Sequence, residues 1–306
     1  MPSVTLAESA KLAQDDLVAG VIENIITVNQ FFELLPFDGI DGNALAYNRE
    51  NVLGDVQMLG VDGTITAKAA ATFTQVTSNL TTIIGDAEVN GLIQATRSGD
   101  GNDQTAVQVS SKAKSAGRQY QDQMITGDGT GDNIEGLLSL ISAGQTVSAV
   151  TNGEALSFVL LDELIDKVTD KDGEVDYLMM NSRTLRSLFA LLRLLGGAGI
   201  GEVITLPSGK QILGYRNIPV LRNDYLPIDQ TFGTETNATS IFAGNLDDGS
   251  RSMGIAGLTA QNAAGIQIVD VGEAELKDNR ITRVKWYAGL ALFSDKGLAM
   301  LEGINN

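Results

Sequence analysis

Several short strings in this chain have residue types and spacings that could do chemistry. Asp170-Lys-Asp-Gly-Glu174 sets acidic oxygens at alternate positions ahead of a glycine, as the first part of a calcium loop does. It lacks the order of a full loop, in which the glycine follows a third acidic or amide position and a Glu closes the ligand set, so it reads as a helix-to-strand turn. Gly127-Asp-Gly-Thr-Gly131 has the glycines of a phosphate-cradling loop but no Gly-Lys-Ser/Thr ending, and Asp128 and Asp132 would repel phosphate. It too reads as a turn. Gly196-Gly-Ala-Gly-Ile-Gly201 follows a helical pattern instead of opening one, the wrong order for a dinucleotide fingerprint. Glu273 and Glu275 share one face at strand period and are the pair a carboxylate-dependent enzyme would use, yet surface acids in an acidic protein need no catalytic reason. Lys68, in a loop tip, reads as a solvated amine.

Composition closes most of the remaining routes. The 306 residues include neither Cys nor His, so there is no thiolate nucleophile, no disulfide framework, no Cys-ligated zinc and no imidazole to shuttle protons at neutral pH. No Ser lies in a Gly-x-Ser-x-Gly elbow. No catalytic, cofactor-binding or metal-binding residue is assigned, and an enzyme is not expected. Lys and Arg number 21 against 38 Asp and Glu, a net charge of −17. That balance argues against a protein that coats nucleic acid, because affinity for duplex comes mostly from cations that displace counterions from phosphates. There is no run of about 20 apolar residues to span a bilayer and no basic segment before an apolar core near Met1, so a soluble protein made inside the cell is expected. Length suggests roughly two units of about 150 residues, or one elongated fold with an inserted subdomain.

The elements that would position these residues follow from periodicity. Thr5-Leu-Ala-Glu8 has capping-box spacing, and Leu6, Ala10, Ala13, Leu17 and Val21 continue as one helical stripe, with Ile25 and Ile26 beyond it. Phe31, Phe32, Leu34, Leu35 and Pro36 then form an apolar cluster too dense for a solvated tail. From Asn43 to about Asn90 the texture turns to Thr, Val, Ile and Gly, and a two-stranded ribbon with a Gly- and Ala-rich tip is predicted. Such a ribbon is marginal alone and should lean on its own body or another chain. Ala106, Val109, Ala113, Ala116, Tyr120 and Met124 predict a long helix stopped by the glycines after Thr126. Beyond it, a helix over 156–168, a buried strand Tyr177–Met180, a helix capped by Asn181 or Ser182, and strands over 212–221, 265–271 and 280–293 make the class α+β.

This order of arm, ribbon, long helix and α+β body resembles the major capsid proteins of tailed phages with the Hong Kong 97 fold. Ile125-Thr-Gly-Asp-Gly-Thr-Gly131 with Ile134-Glu-Gly-Leu137 is similar to that family's Gly-Asp-Gly segment after its spine helix. Asp176-Tyr-Leu-Met-Met-Asn-Ser182 resembles its strand that carries an Asn into the next helix. Leu213-Gly-Tyr-Arg-Asn-Ile-Pro-Val-Leu-Arg222 with Tyr225-Leu-Pro227 resembles the hairpin of its axial domain, with an inserted Arg-Asn-Ile.

The resemblance implies an N-terminal arm at 1–43, an extended loop (E-loop) at 44–90, and a peripheral domain with the spine helix at 91–142. An axial domain would occupy 143–270 and peripheral return strands 271–306. It further implies a homo-oligomer of pentamers and hexamers in an icosahedral shell that encloses double-stranded DNA without binding it specifically, in the virion capsid, assembled in the bacterial host cytoplasm. Separate scaffolding, cement and portal proteins are possible partners, and no membrane is involved. Phe31, Phe32, Leu34, Leu35, Arg49, Lys68, Phe73, Val76 and Leu80 are the residues expected at inter-subunit contacts. Two features depart from the family's type member. Met1 stands almost at the arm, so scaffolding would come from a separate protein or be unnecessary. Lys68 lies in the loop that carries the type member's cross-linking Lys, but no Asn or Glu partner can be assigned, and no autocatalytic cross-link is expected. An encapsulin-like compartment is the alternative within the fold; a tail-tube or adhesion protein would lack the long helix.

Overall fold

The computed structural model describes residues 30–97, 103–170, 173–194 and 202–306. The amphipathic helix expected from Thr5 and the glycine run after Leu195 lie outside the described residues, as does part of the Asp170–Glu174 string.

Gln30 opens a one-turn helix, α1 (Gln30–Leu34), followed by strand β1 (Phe37–Ile40) and the ribbon strands β2 (Ala44–Val52) and β3 (Thr72–Asn79). Strand β4 (Thr81–Asn90) and helix α2 (Gly91–Arg97) lead to the long helix α3 (Gln104–Thr126). Asp103 caps α3, its carboxylate accepting from the backbone N–H of Thr105 at 2.9 Å and of Ala106 at 3.4 Å. The predicted apolar stripe is buried only in its second half, at Ala116, Tyr120 and Met124, while Ala106 is exposed and Val109 and Ala113 are half-buried. A 23-residue helix is about 34 Å long and overhangs the strands beneath it.

A short helix α4 (Leu137–Leu140) and strand β5 (Thr146–Ser148) precede α5 (Phe158–Thr169), the fully buried strand β6 (Tyr177–Met180) and α6 (Ser182–Leu194). Asn181 caps α6, accepting from Thr184 N–H at 2.8 Å, as expected. Strands β7 (Glu202–Thr205), β8 (Gln211–Tyr215), β9 (Ile218–Arg222), β10 (Gln230–Phe232) and β11 (Glu235–Gly244) follow. The chain ends with β12 (Ile255–Ala260), β13 (Gln267–Glu273), β14 (Asn279–Leu292) and β15 (Leu298–Ile304).

These strands form two large sheets and one ribbon. In the five-stranded sheet β14 is central, paired with β4 on one edge and with β12 and β13 on the other, and β1 runs parallel to β12. Helix α3 packs on β4 and β14, and the buried Tyr120 donates to the Gly289 carbonyl at 3.0 Å. The eight-stranded sheet has the order β5-β15-β11-β6-β9-β8-β7, with β10 also on β11. Its core joins Leu161, Leu164 and Ile165 of α5 and Leu188 of α6 to Leu178, Val220 and Leu301.

The strand pairing distributes the chain between these sheets as follows. Only residues up to Asn79 belong to the ribbon; β4 is a body strand whose Thr81–Asn90 pair with Ala288–Asn279. β12 and most of β13, expected in the axial segment, lie in the five-stranded sheet, and β15, expected with the peripheral strands, pairs with β11 and β5 in the other. The chain crosses between sheets at the Ser294–Gly297 turn, a change of partner that no local pattern encodes. Glu275 likewise lies in the β13–β14 turn and not on a strand with Glu273.

Candidate functional site

The ribbon is the part of the chain whose surface is least used by its own body. β2 and β3 pair from Ala44↔Asn79 to Glu50↔Phe73, with a bulge between Glu50 and Val52, and form a sheet of their own. Along both strands only Ser78 is buried.

Its root is clamped. Residues at period 2 share a strand face, and Leu45, Tyr47 and Arg49 are such a set. Leu45, Tyr47 and Leu80 pack on Ile40, Ala256, Leu258, Ala291 and Phe293. The Tyr47 hydroxyl donates to the Leu292 carbonyl at 2.6 Å, and its ring meets that of Phe293 edge-on at 5.3 Å. Arg49 donates through Nε to the Phe293 carbonyl at 3.1 Å and through its terminal amines to the Leu292 carbonyl and the Asp295 carboxylate. With a side chain only 16% exposed, Arg49 holds the ribbon to its own body. Leu80, like Arg49, is engaged by its own body.

The tip is organised and uncovered. Asp55 N–H donates to the Ala69 carbonyl at 3.0 Å, and Gln57 Oε1 accepts from Thr66 N–H, Thr66 Oγ1 and Ala67 N–H, each at 2.7 Å. Gln57 Nε2 donates to the Thr64 carbonyl at 3.0 Å, so one side chain ties both arms of the tip. Val56 is 91% exposed, and Met58 and Val61 are fully exposed. Lys68 is exposed on the same tip, Phe73 is exposed on β3, and Val76 is half-buried. Apolar side chains held out in this way by a rigid frame are the composition of a contact surface awaiting a partner.

The arm's apolar cluster has its partner within the chain. Phe31 is fully buried, its ring edge-on to Tyr177 at 4.8 Å, and Leu35 is buried in the same core. Phe32 and Leu34 pack against that core, Phe32 in a cluster with Phe37, Tyr120 and Trp286 at centroid distances of 5.5, 5.8 and 6.0 Å. Gln30 and Glu33 tie α1 down by accepting from the N–H groups of Arg222 at 3.0 Å and Ser208 at 2.6 Å. Within the single chain Phe31 and Leu35 are buried and form a root for the arm.

Charge serves geometry throughout. Arg283 grips Asp86 with two bonds, at 2.7 and 2.8 Å, fastening β14 to β4 and holding the Asp86 carboxyl below its ordinary value. Arg280 and Asp270 join β14 to β13, and Arg251 and Asp38 join the loop before β12 to β1. In the glycine turn, Asp128 accepts from Thr130 N–H at 3.1 Å, Thr130 Oγ1 at 2.7 Å and Asn133 Nδ2 at 2.9 Å. Those donors hold its carboxyl at about 2, and spend it on the turn itself. Among the described residues no group of three or more acidic side chains is set to hold a metal ion, and no helix is long and apolar enough to cross a membrane.

Arg49 is among the residues singled out from the sequence, whereas Tyr47, Gln57 and Asp295 are not. The alternation of Leu45, Tyr47 and Arg49 was the available signal; the partner carbonyls, more than 240 residues away, had none.

Comparison with known proteins places this architecture. The profile of the family described as "Phage capsid family" matches residues 12–301. No curated protein matches the chain. Among solved structures it resembles the holo-SrpI encapsulin complex from Synechococcus elongatus, at 18% identity and a TM-score of 0.74 over 99% of this chain and 96% of that one. It resembles the capsid of cyanophage A-1(L) at 12% identity and a TM-score of 0.70, over 99% and 100% of the two chains. Mycobacterium phage Ogopogo gives 15% identity and a TM-score of 0.66, over 98% and 99%.

Proposed function

The chain belongs to the phage capsid family, and from that premise we propose how its two-sheet body and ribbon build a shell. It is a structural major capsid protein with the Hong Kong 97-like fold, a subunit of a homo-oligomeric capsid. Each ribbon reaches over a neighbouring subunit, so that heterologous contacts close into pentamers and hexamers of an icosahedral shell around double-stranded DNA. The observation that carries this reading is the contrast along β2 and β3: a root fastened through Tyr47 and Arg49, and a tip framed by Gln57 whose Val56, Met58 and Val61 touch no part of the body. The contact set is therefore these three with Lys68 and Phe73, and Val76 at its margin.

The particle is assembled in the host cytoplasm, with a portal and, where the shell needs them, separate scaffolding and cement proteins as candidate partners. The negative balance suits a container: an acidic lining lets DNA enter and leave without sticking. Electron microscopy of the expressed chain, alone and with its gene neighbours, tests the reading; closed shells that protect DNA from nuclease are expected, and tubes or dispersed monomers would overturn it. The likeness to an encapsulin supports a second reading, a compartment for protein cargo. Nuclease-treated shells that hold protein and no DNA would select it.

A further inference from the structure

In an asparagine followed by glycine the backbone can attack its own side chain, because glycine leaves the attacking nitrogen unscreened and the chain free to bend toward it. This protein has two such pairs, Asn90-Gly91 and Asn152-Gly153, and the fold treats them differently. Asn90, at the end of β4, is tied on every side. Its Nδ2 donates to the Asp278 carbonyl at 2.8 Å and to Asn279 Oδ1 at 3.1 Å, and its Oδ1 accepts from Leu92 N–H at 3.0 Å. Gly91 N–H, the attacking group, donates to the Asp278 carbonyl at 2.9 Å. Asn152 is exposed, and among the described residues its side chain makes one bond, Oδ1 accepting from Thr234 N–H at 3.2 Å. Gly153 N–H is held by a single turn bond, to the Val150 carbonyl at 2.8 Å. Neither residue of this second pair can be exchanged cheaply. Gly153 stands at φ +76°, and a Cβ there would lie 2.8 Å from the Gly303 carbonyl oxygen. Asn152 Oδ1 fills the space beside Gly233, where a Cβ would meet it at 2.6 Å.

We propose that Asn152 is a site of spontaneous deamidation, with water as the co-reactant, and that the fold protects Asn90 from the same reaction. The Gly153 nitrogen attacks Asn152 Cγ and gives up its proton as the new C–N bond forms; the side-chain nitrogen leaves as ammonia, and a succinimide ring remains. Water then adds to one of the two ring carbonyls and opens the ring, to aspartate or to isoaspartate, whose main chain runs through the former side chain. At Asn152 ring closure needs one side-chain bond and one turn bond to open. At Asn90 four bonds must open together with the end of a strand ladder, and the free energy of local opening rises with the structure that must be broken. The product adds negative charge to a chain already at −17. As isoaspartate it also inserts a main-chain carbon between turns where Gly153 and Gly233 leave no room. What it disturbs is the Thr234 bond and the pairing of Glu154 with β15, in which Glu154 N–H donates to the Gly303 carbonyl at 3.0 Å. The reaction needs only the folded chain and does not depend on shell formation.

Full-length unassembled chain incubated in mildly alkaline buffer, then digested and mapped by mass spectrometry, tests this. The peptide that carries Asn152 should gain one dalton several-fold faster than the peptide that carries Asn90, and isoaspartyl methyltransferase should label the first alone. In urea, where the fold no longer separates them, the two should react at similar rates. Asn152→Ser should abolish both the fast gain and the label. A rate at Asn152 in the folded chain no greater than that at Asn90, or a fast gain that survives Asn152→Ser, would overturn the assignment.

Discussion

Arg49 spends one guanidinium on three acceptors, the Leu292 and Phe293 carbonyls and the Asp295 carboxylate, at the point where β14 ends and the chain crosses between sheets. Removing it takes the side-chain donor from the Phe293 carbonyl and leaves the Leu292 carbonyl with Tyr47 alone, and hydrogen bonds to charged groups contribute about 1.5–3 kcal/mol. Arg49→Ala should therefore destabilise the unassembled chain by about 2 kcal/mol. Arg49→Lys should recover less than half, because an ammonium cannot serve three acceptors from one plane. Urea unfolding checks this, and a loss under about 0.5 kcal/mol, the usual size for a surface change, would show that the root is not clamped there. Acid stability has its own residue-scale logic. Asp86 is held below its unfolded value of 3.8, chiefly by the Arg283 bonds, and Asp103 and Asp270 are lowered by Gln94 and Arg280 first. Asp128 stands at about 2 through Thr130 and Asn133. A depressed folded value means a contribution fully present above 3.8 and lost as pH falls through the folded values. Melting temperature should thus fall between about pH 4 and 2. It should stay nearly flat from pH 5 to 8, because the chain has no His to titrate there. Asp86→Asn should start lower and flatten the acid slope, and an unaltered slope would remove Asp86 from the account.

Helix α3 shows how one substitution can carry opposite signs along one element. Gly117 sits in the helix interior with open space at its Cβ position, so Gly117→Ala should stabilise by about 0.8–1 kcal/mol. Gly127 stops the helix where a Cβ would lie 2.1 Å from the Ile134 carbonyl oxygen, so Gly127→Ala should destabilise by more than it does in any open turn, by about 2 kcal/mol or more. Thermal melts of the two variants should move in opposite directions; equal shifts would mean that the turn simply gives way. The helix itself was legible because its stripe and its glycine stop are local, and the same holds for β6, α6 with its Asn181 cap, and the two-stranded ribbon. The break at Leu80 was not. Thr72 to Ile84 reads as one Thr-rich run, yet its first half pairs with β2 and its second with β14. Nor was the destination of Phe31 legible: density of apolar residues announces burial without saying in which chain. β11 and β15, buried at the centre of the eight-stranded sheet, escaped notice because a strand covered on both faces loses the alternation that marks a strand.

For the whole molecule, assembly is a contest between apolar contact and like charge. Every subunit brings a net charge of −17, and each added neighbour must approach against that repulsion. The attraction comes from surface that the body leaves uncovered, above all Val56, Met58 and Val61 on the ribbon tip. Placing charge there should uncouple the two levels of structure. Met58→Asp with Val61→Asp should leave the unfolding free energy of the unassembled chain within about 0.5 kcal/mol of wild type, since both side chains are fully exposed, yet abolish shells. Shells at wild-type yield would mean that the tip makes no contact. Repulsion between subunits is long-ranged and screenable, whereas apolar contact is neither. The Debye length shrinks from about 30 Å at 0.01 M salt to about 8 Å at 0.15 M. The protein concentration at which shells first form, followed by light scattering, should therefore fall severalfold across that range in the wild type. A threshold that rises with salt would show instead that ion pairs, and not the apolar tip, hold neighbouring subunits together.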